Sequence, residues 1–567
     1  MRKLPIRHTD KEQRASNPHI PFTVGLRAQA TFHSRLTLQE QVLRQSMSTM
    51  GIISGFCLLL LVLWLPLRTA YAAEPATIDP RTLTFKAIEF VQPEPDRVVL
   101  ENGMVIYLLE DHELPLITIG VLMRTGGWLD PPDKVGLAAL TGNVMLTGGG
   151  GGLSAAEVDD ELAQFAGRMS IGIDRQSGSA SIDVMRKDLQ QALRLFAGVL
   201  RTPAFDPARV DLAKLQAMER IRRREDEPES IASREFSKLL YGPGHPTARE
   251  SSTESVGRIH REDLIAFHQN TIHPNGIILG VTGDFVKDEM VASLREAFGD
   301  WQRGTVPEVK IDDVPESEAA RAVVHFISKD TSQTHLRAGR LSVKETDTDY
   351  VPLLLANDIL GGNSLIGRLF NEVRTKRGLA YSVGSELSTG MYNQGMWLVW
   401  AETKLPSTKE VLGQLVGNIE RMRTEPVSDA ELTQAKDSYV NSSVFDVSSS
   451  AKIVSRLMKL EYDGLPKDFY QQLREKILTV SKEDILAVGR KHLRADHMTI
   501  VAVGLGETLS AELSTFGNVK EISLNSEGEM QGVMTSQLCF DSSKSDPSCS
   551  PLRVSVQWLF SGPPSPY

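Results

Sequence analysis

Two stretches of this chain recur at nearly the same spacing. Arg201-Thr202-Pro203 runs through Asp206 into the helical pattern DPARVDLAKLQA. Arg423-Thr424-Glu425-Pro426 runs through Ser428 into SDAELTQAKDS, 222 residues further on. A second pair agrees: HREDLIAFHQNTIHPNGIILGVTG ends at Gly283 and SKEDILAVGRKHLRADHMTIVAVG ends at Gly504, an offset of 221. Two distant anchors with nearly equal offsets mean one unit present twice, so the fold must be one that can be built from two copies.

Each copy mixes strands and helices. Val98 to Leu100 and Met104 to Leu108 flank Asn102-Gly103, a hairpin signal, and Ile117 to Arg124 reads as a further strand. Ser154-Ala-Ala-Glu157 and Ser428-Asp-Ala-Glu431 are capping boxes, each opening a helix. Asp206-Pro207 supplies an N-cap followed by proline at the first helical position. Strands grouped with runs of helices predict an α+β fold: two tandem homologous domains, each a mainly antiparallel sheet covered by helices. The expected boundaries are 80–302 and 319–506. A linker rich in proline and acids spans 303–318, and a flexible Ser/Gly/Pro-rich tail fills 507–567.

The apolar run Gly51 to Leu67 follows Arg35 and Arg44 and precedes Ala70-Tyr71-Ala72. It has the form of a signal peptide over 47–72, cleaved near Ala72, which predicts a periplasmic or secreted protein; a single N-terminal membrane anchor is the alternative. Residues 1–46 read as an unusually long N-terminal extension, with Met47 and Met50 as alternative starts that the sequence leaves open. The 567 residues carry a formal net charge of −10, which makes no case for nucleic-acid binding. Of three cysteines, Cys57 leaves with the signal, and Cys539 and Cys549 can pair in an oxidising compartment.

Leu369 to Val383 reads LFNEVRTKRGLAYSV. Leu365, Ile366, Leu369, Phe370 and Val373 are spaced as one apolar helix face. Lys376 and Arg377 suit the last turn, and Gly378 suits the C′ position. Leu379, Tyr381 and Val383 then alternate with small residues as a strand does. Arg374 near a helix end and Tyr381 in the next strand can therefore reach one point.

With Leu100-Glu-Asn-Gly103, Gly136-Leu137-Ala138, GPGHPTAR (242–249), Leu360-Gly361-Gly362, Arg374 and Gly378-Leu-Ala-Tyr381, the chain resembles the pitrilysin/insulinase family of metallopeptidases. More narrowly it is similar to the branch with two-domain subunits that includes mitochondrial processing peptidase. The resemblance covers about Val98 to Gly504. Catalytic members carry His-x-x-Glu-His after the Gly-Leu-Ala. Two histidines four apart on a helix bind zinc, and the glutamate is the base for its water. Here those positions are Ala139, Leu140, Thr141, Gly142 and Asn143, and no two of the twelve histidines are four residues apart. A distal glutamate ligand would fall between Leu215 and Arg224. Glu219 is the nearest candidate, and a solvated charged helix face is its plainer reading.

The resemblance therefore implies a clam-like subunit that binds no cofactor. It retains Arg374 and Tyr381 to hold the scissile carbonyl and its oxyanion, while a partner subunit of the same family brings the zinc and peptides are the substrate. The other implied readings are a peptide-binding scaffold that keeps the fold without chemistry, and, with least support, an autonomous zinc peptidase. Gly148 to Gly152 reads as a connection between helices, His245 as a residue that orders its loop, and His112 as exposed.

Overall fold

The computed structural model describes residues 93–315 and 323–524, apart from Ser364 and Tyr392. The 1–46 extension, the 47–72 signal, residues 316–318 of the linker, the Cys539/Cys549 pair and the tail from residue 525 lie outside the described residues. No helix among the described residues is long and apolar enough to cross a membrane.

The hairpin forms around Asn102-Gly103, with β1 (Asp96–Val99) antiparallel to β2 (Val105–Glu110). Asn102 is buried, and its amide donates to the carbonyls of Phe298 and Trp301, so the turn also locks the end of a later helix. The sheet is completed by β3 (Leu116–Met123), β4 (Arg168–Ile173), β5 (Gly178–Met185) and β6 (Ile277–Gly283), in the order β1-β2-β6-β3-β5-β4. The second half repeats it with β7 (Val323–Ser328), β8 (Gln333–Leu341), β9 (Ala380–Ser388), β10 (Met396–Lys404), β11 (Thr499–Gly504) and β12 (Asn518–Glu521), ordered β12-β7-β11-β8-β10-β9. Only the β2–β6, β7–β11 and β7–β12 pairs are parallel.

The two sheets match strand for strand except at one edge. In the first, β1 precedes β2 and runs antiparallel to it. In the second, β12 arrives from the far end of the half and runs parallel to β7. The helix Glu507–Leu513 and β12 therefore belong to the body, with Leu509 and Leu513 buried in its core. Residues 507–521, expected as the start of a flexible tail, thus form a short helix and an edge strand, which need few apolar residues and leave little periodicity to read.

Both sheets bury one face under helices of their own half, each over a large apolar core. The other faces are covered by exchange. The Pro228–Tyr241 helix of the first half lies on the second sheet, where Ile231, Ala232 and Phe236 meet Ile327, Leu398, Val501 and Val503. The Ser450–Asp463 helix of the second half lies on the first sheet, where Ile453, Val454, Met458 and Tyr462 meet Tyr107, Leu109 and Ile278. The two helices are equivalents in the repeat, 222 residues apart. The contact is close: a Cβ on Gly280 of β6 would lie 2.4 Å from Met458 Sδ. Polar ends follow the same symmetry, Tyr241 donating to the Gln394 carbonyl and Tyr462 to that of Gln176. Neither half closes its second sheet face alone, so the described residues of the two halves form one compact unit.

Glu461 is the polar anchor of this exchange. It accepts from Arg97 at 2.9 and 3.1 Å and from the Tyr107 hydroxyl at 2.9 Å, and its carbonyl accepts from Arg124. The bond from Arg97 holds its carboxyl below the usual range, against burial that opposes it. Glu461→Gln keeps the shape and removes the charge. It is expected to lower unfolding free energy by about 1–2 kcal/mol in urea denaturation, the scale of charged hydrogen bonds at a partly exposed site.

Candidate functional site

Arg374 stands on a helix that changes character. Residues 368–369 are α-helical, and Phe370–Thr375 continue as a wide π turn, a distortion found often at functional sites. Leu369 and Val373 bury their side chains in the second core, which turns Arg374 outward. Leu365 and Ile366, expected on the same apolar face, are instead exposed (71% and 38%), because the helix starts after them. Gly378 closes the helix at φ 62°, with Leu379 N–H donating to the Val373 carbonyl.

Tyr381 is placed by an irregularity in β9. Along β10, Glu402 pairs with Ser382, but the next residue, Thr403, pairs with Ala380. Tyr381 is the extra residue of a β-bulge, the device that re-aims a side chain at a sheet edge. Ala380 and Val383 stay in the core while Tyr381 is 74% exposed. The Arg374 guanidinium lies 5.0 Å from the Tyr381 ring centroid and 5.0 Å from that of Phe370, within cation–π range of both rings. Lys376 and Arg377 both pair with Glu372, drawing its carboxyl down to about 2. Among the described residues Arg374 has no carboxylate partner. The result is a preformed cation and phenol facing outward together.

The segment is braced from the side. Arg368 makes a two-pronged pair with Glu431, at 2.6 and 3.0 Å, and Glu431 also closes the capping box on Ser428. Burial would raise the Glu431 carboxyl, but Arg368 and the Ser428 N–H bring it down to about 2. A carboxyl depressed on folding adds stability above its unfolded pKa and loses it as pH falls through the folded value. Between about pH 5 and pH 2, unfolding free energy is expected to fall about 1–2 kcal/mol further in this chain than in Glu431→Gln, after allowance for partial exposure. Urea titrations at stepped pH measure the difference.

The positions where the resemblance would place zinc lie on the Leu137–Thr147 helix. Ala139 and Asn143 are exposed there, on a pocket of about 310 Å³. Its other lining includes Ala217, Arg220, Ile221, Arg224 and Ser251. No lining side chain carries an imidazole or a carboxylate, and two are guanidiniums, so this pocket does not fit a zinc ion. Glu219 points elsewhere and pairs with Arg222 and Arg223. Gly142, at the general-base position, is buried against β4: a Cβ would lie 2.6 Å from Ile173 N.

Residues 105–244 match the family described as "Insulinase (Peptidase family M16)", and residues 258–439 match "Peptidase M16 inactive domain". The chain belongs to the insulinase family, M16. Its relatives within M16 include an "Uncharacterized zinc protease" of Mycobacterium leprae, 29% identical over 59% of this chain and 75% of that protein. "Uncharacterized zinc protease YmxG" of Bacillus subtilis is 23% identical over 64% and 87%. A "Non-peptidase homolog YmxG" of Helicobacter pylori is 22% identical over 70% and 90%. Among solved structures, a peptidase M16 inactive domain from Pseudomonas fluorescens superposes with TM-score 0.65 at 26% identity, covering 73% of this chain and 98% of that one. A chain of complex III2 from Candida albicans shares the fold at TM-score 0.59 and 16% identity, over 74% of this chain and 99% of its own length.

Other residues of this M16 chain settle into structural roles. His245 stacks on Tyr241, takes the Thr247 N–H at Nδ1 and so donates from Nε2 to the Asp312 carbonyl. His112 is exposed and bonded to Asp284. Gly148 to Gly152 join two helices. Sequence spacing missed one group: Glu229, His335 and Glu402 bring their ligand atoms within 4.8 Å of one another. They come from one helix and two strands, so no local motif marks them.

Proposed function

We propose that this chain is the zinc-less subunit of a two-subunit M16 peptidase, with Arg374 and Tyr381 completing the active site of a zinc-bearing partner. The observation that carries this reading is the pair itself. A guanidinium and a phenol, preformed and facing outward, suit the negative charge that develops on a scissile carbonyl. Neither group can attack a peptide or activate water, and the pocket at Ala139 and Asn143 offers zinc no ligand. The substrate would be an extended peptide: β4 and β9 are the last strands of their sheets, and β9 carries Tyr381. The 47–72 segment supports a periplasmic or secreted site of action.

The test is reconstitution. The chain alone is expected to cleave no peptide. Mixed with a co-purifying M16 chain that bears His-x-x-Glu-His, it is expected to form a stable complex and to raise that chain's peptidase rate. If no such chain co-purifies, or its rate is unmoved, the proposal fails. The second reading is a peptide-binding scaffold, favoured by the fold shared with a chain of complex III2. It expects complex formation or peptide binding with no effect on any peptidase.

A further inference from the structure

We propose that Glu229, His335 and Glu402 bind one divalent transition-metal ion of the zinc class, which fastens the exchanged Pro228–Tyr241 helix to the second sheet. The proposal does not rest on the peptidase reading, and it concerns a different place from the helix bearing Ala139 and Asn143.

Topology builds the site. His335 of β8 and Glu402 of β10 are direct register partners. They share a sheet face with Arg337, Leu398 and Trp400, the face on which the exchanged helix lies. That helix enters at Pro228, so Glu229 in its first turn stands over the two strand residues. One ligand thus comes from the first half of the chain and two from the second. An ion there would cross-link the repeat at the surface where neither half is complete alone.

The chemistry matches a metal better than the bonds the protein itself supplies. His335 Nδ1 is buried and has no hydrogen-bond partner among the described residues. It sits 3.8 Å from Glu402 Oε1, too far for a hydrogen bond. Zinc bonds of about 2.0–2.2 Å to nitrogen and oxygen place tetrahedral ligand atoms about 3.4 Å apart. The present spread of up to 4.8 Å closes onto an ion by small side-chain rotations. Glu229 is the side chain free to make them, with 55% of its surface exposed. Arg337 bonds Glu229 Oε1 at 3.0 Å, so the ion would share this carboxylate with Arg337. Three protein ligands with one on the solvent side leave a fourth position for water. Imidazole with carboxylates selects ions such as zinc or cobalt over calcium or magnesium.

The experiment uses the full chain, stripped of metal with chelator and titrated with Zn²⁺ by calorimetry, and with Co²⁺ followed by its visible absorption. One equivalent of each is expected, with a Co²⁺ spectrum of low-symmetry nitrogen–oxygen ligation. His335→Ala and Glu402→Gln are each expected to weaken binding about 100-fold or more, since either removes one of three ligands. Zn²⁺ is expected to raise the melting temperature of the unmodified chain and not of the variants. Glu219→Gln, on an exposed helix face, serves as the unchanged control. If His335→Ala does not fold, Glu229→Gln, an exposed substitution, carries the same expectation. Binding of less than half an equivalent, or one equivalent retained in these variants, would overturn the proposal.

Discussion

Tyr381→Phe is expected to lower the peptidase rate of the reconstituted complex by about 100- to 1000-fold, the cost of removing one preorganised oxyanion donor. The fall should appear in kcat with KM little changed, because the proposed role places the hydroxyl where charge develops rather than where substrate docks. Phenylalanine keeps the ring that flanks the Arg374 guanidinium 5.0 Å away, so the cation should stay in place. Stability should also hold, since the side chain is 74% exposed. Arg374→Lys is the companion test. It keeps the charge but loses the planar fork and its contacts with the Phe370 and Tyr381 rings. Stopped assays of the complex with a fluorogenic peptide read both. Unchanged kcat in Tyr381→Phe, in a complex that still forms, would remove the clamp from the mechanism and leave the scaffold reading.

The second large effect concerns restoring the metal motif. Combining Ala139→His, Gly142→Glu and Asn143→His is expected to destabilise the chain by about 4 kcal/mol or more, and to produce no peptidase. The cause is Gly142. A Cβ at that position meets Ile173 N at 2.6 Å and Gly172 C at 3.0 Å, both backbone atoms of β4 that cannot swing aside. Overpacking of this kind costs about 1–3 kcal/mol, and a carboxylate forced into the same contact without a partner adds several more. The double variant Ala139→His with Asn143→His touches only exposed positions and is expected to keep near-native stability. Comparing the two by urea denaturation isolates the glycine. The absence of the motif from this helix is therefore matched by the packing around it. The helix lies against the strand at the place where a base would need room, and Arg220 and Arg224 line the pocket beside it.

Much of the local structure was legible. Ser154 with Glu157 and Ser428 with Glu431 form the capping boxes their spacing predicts. Asn102-Gly103 turns the first hairpin. Gly378 ends the helix before Tyr381, and the guanidinium and phenol do meet. Other features left no local mark. The bulge that exposes Tyr381 is a mismatch between two strands, so it exists only once β9 has paired with β10. Leu365 and Ile366 fit a helical period and yet lie outside the helix, because periodicity marks spacing and not where a turn begins.

What the chain's own sequence determined was the unit and its duplication: strand, turn, cap and helix signals lie within a few residues of each other, and the same signals return 221 to 222 residues later. What only the tertiary structure decided was which faces of the two copies meet. A helix such as Pro228–Tyr241 carries an apolar stripe that would suit either sheet, and the stripe cannot say which one it covers. That choice rests on shape, as at Gly280, where the absence of a side chain lets Met458 and Val454 approach the strand. The same pairing of distant surfaces gathers Glu229, His335 and Glu402, which are scattered in sequence and adjacent only after the halves have exchanged their helices.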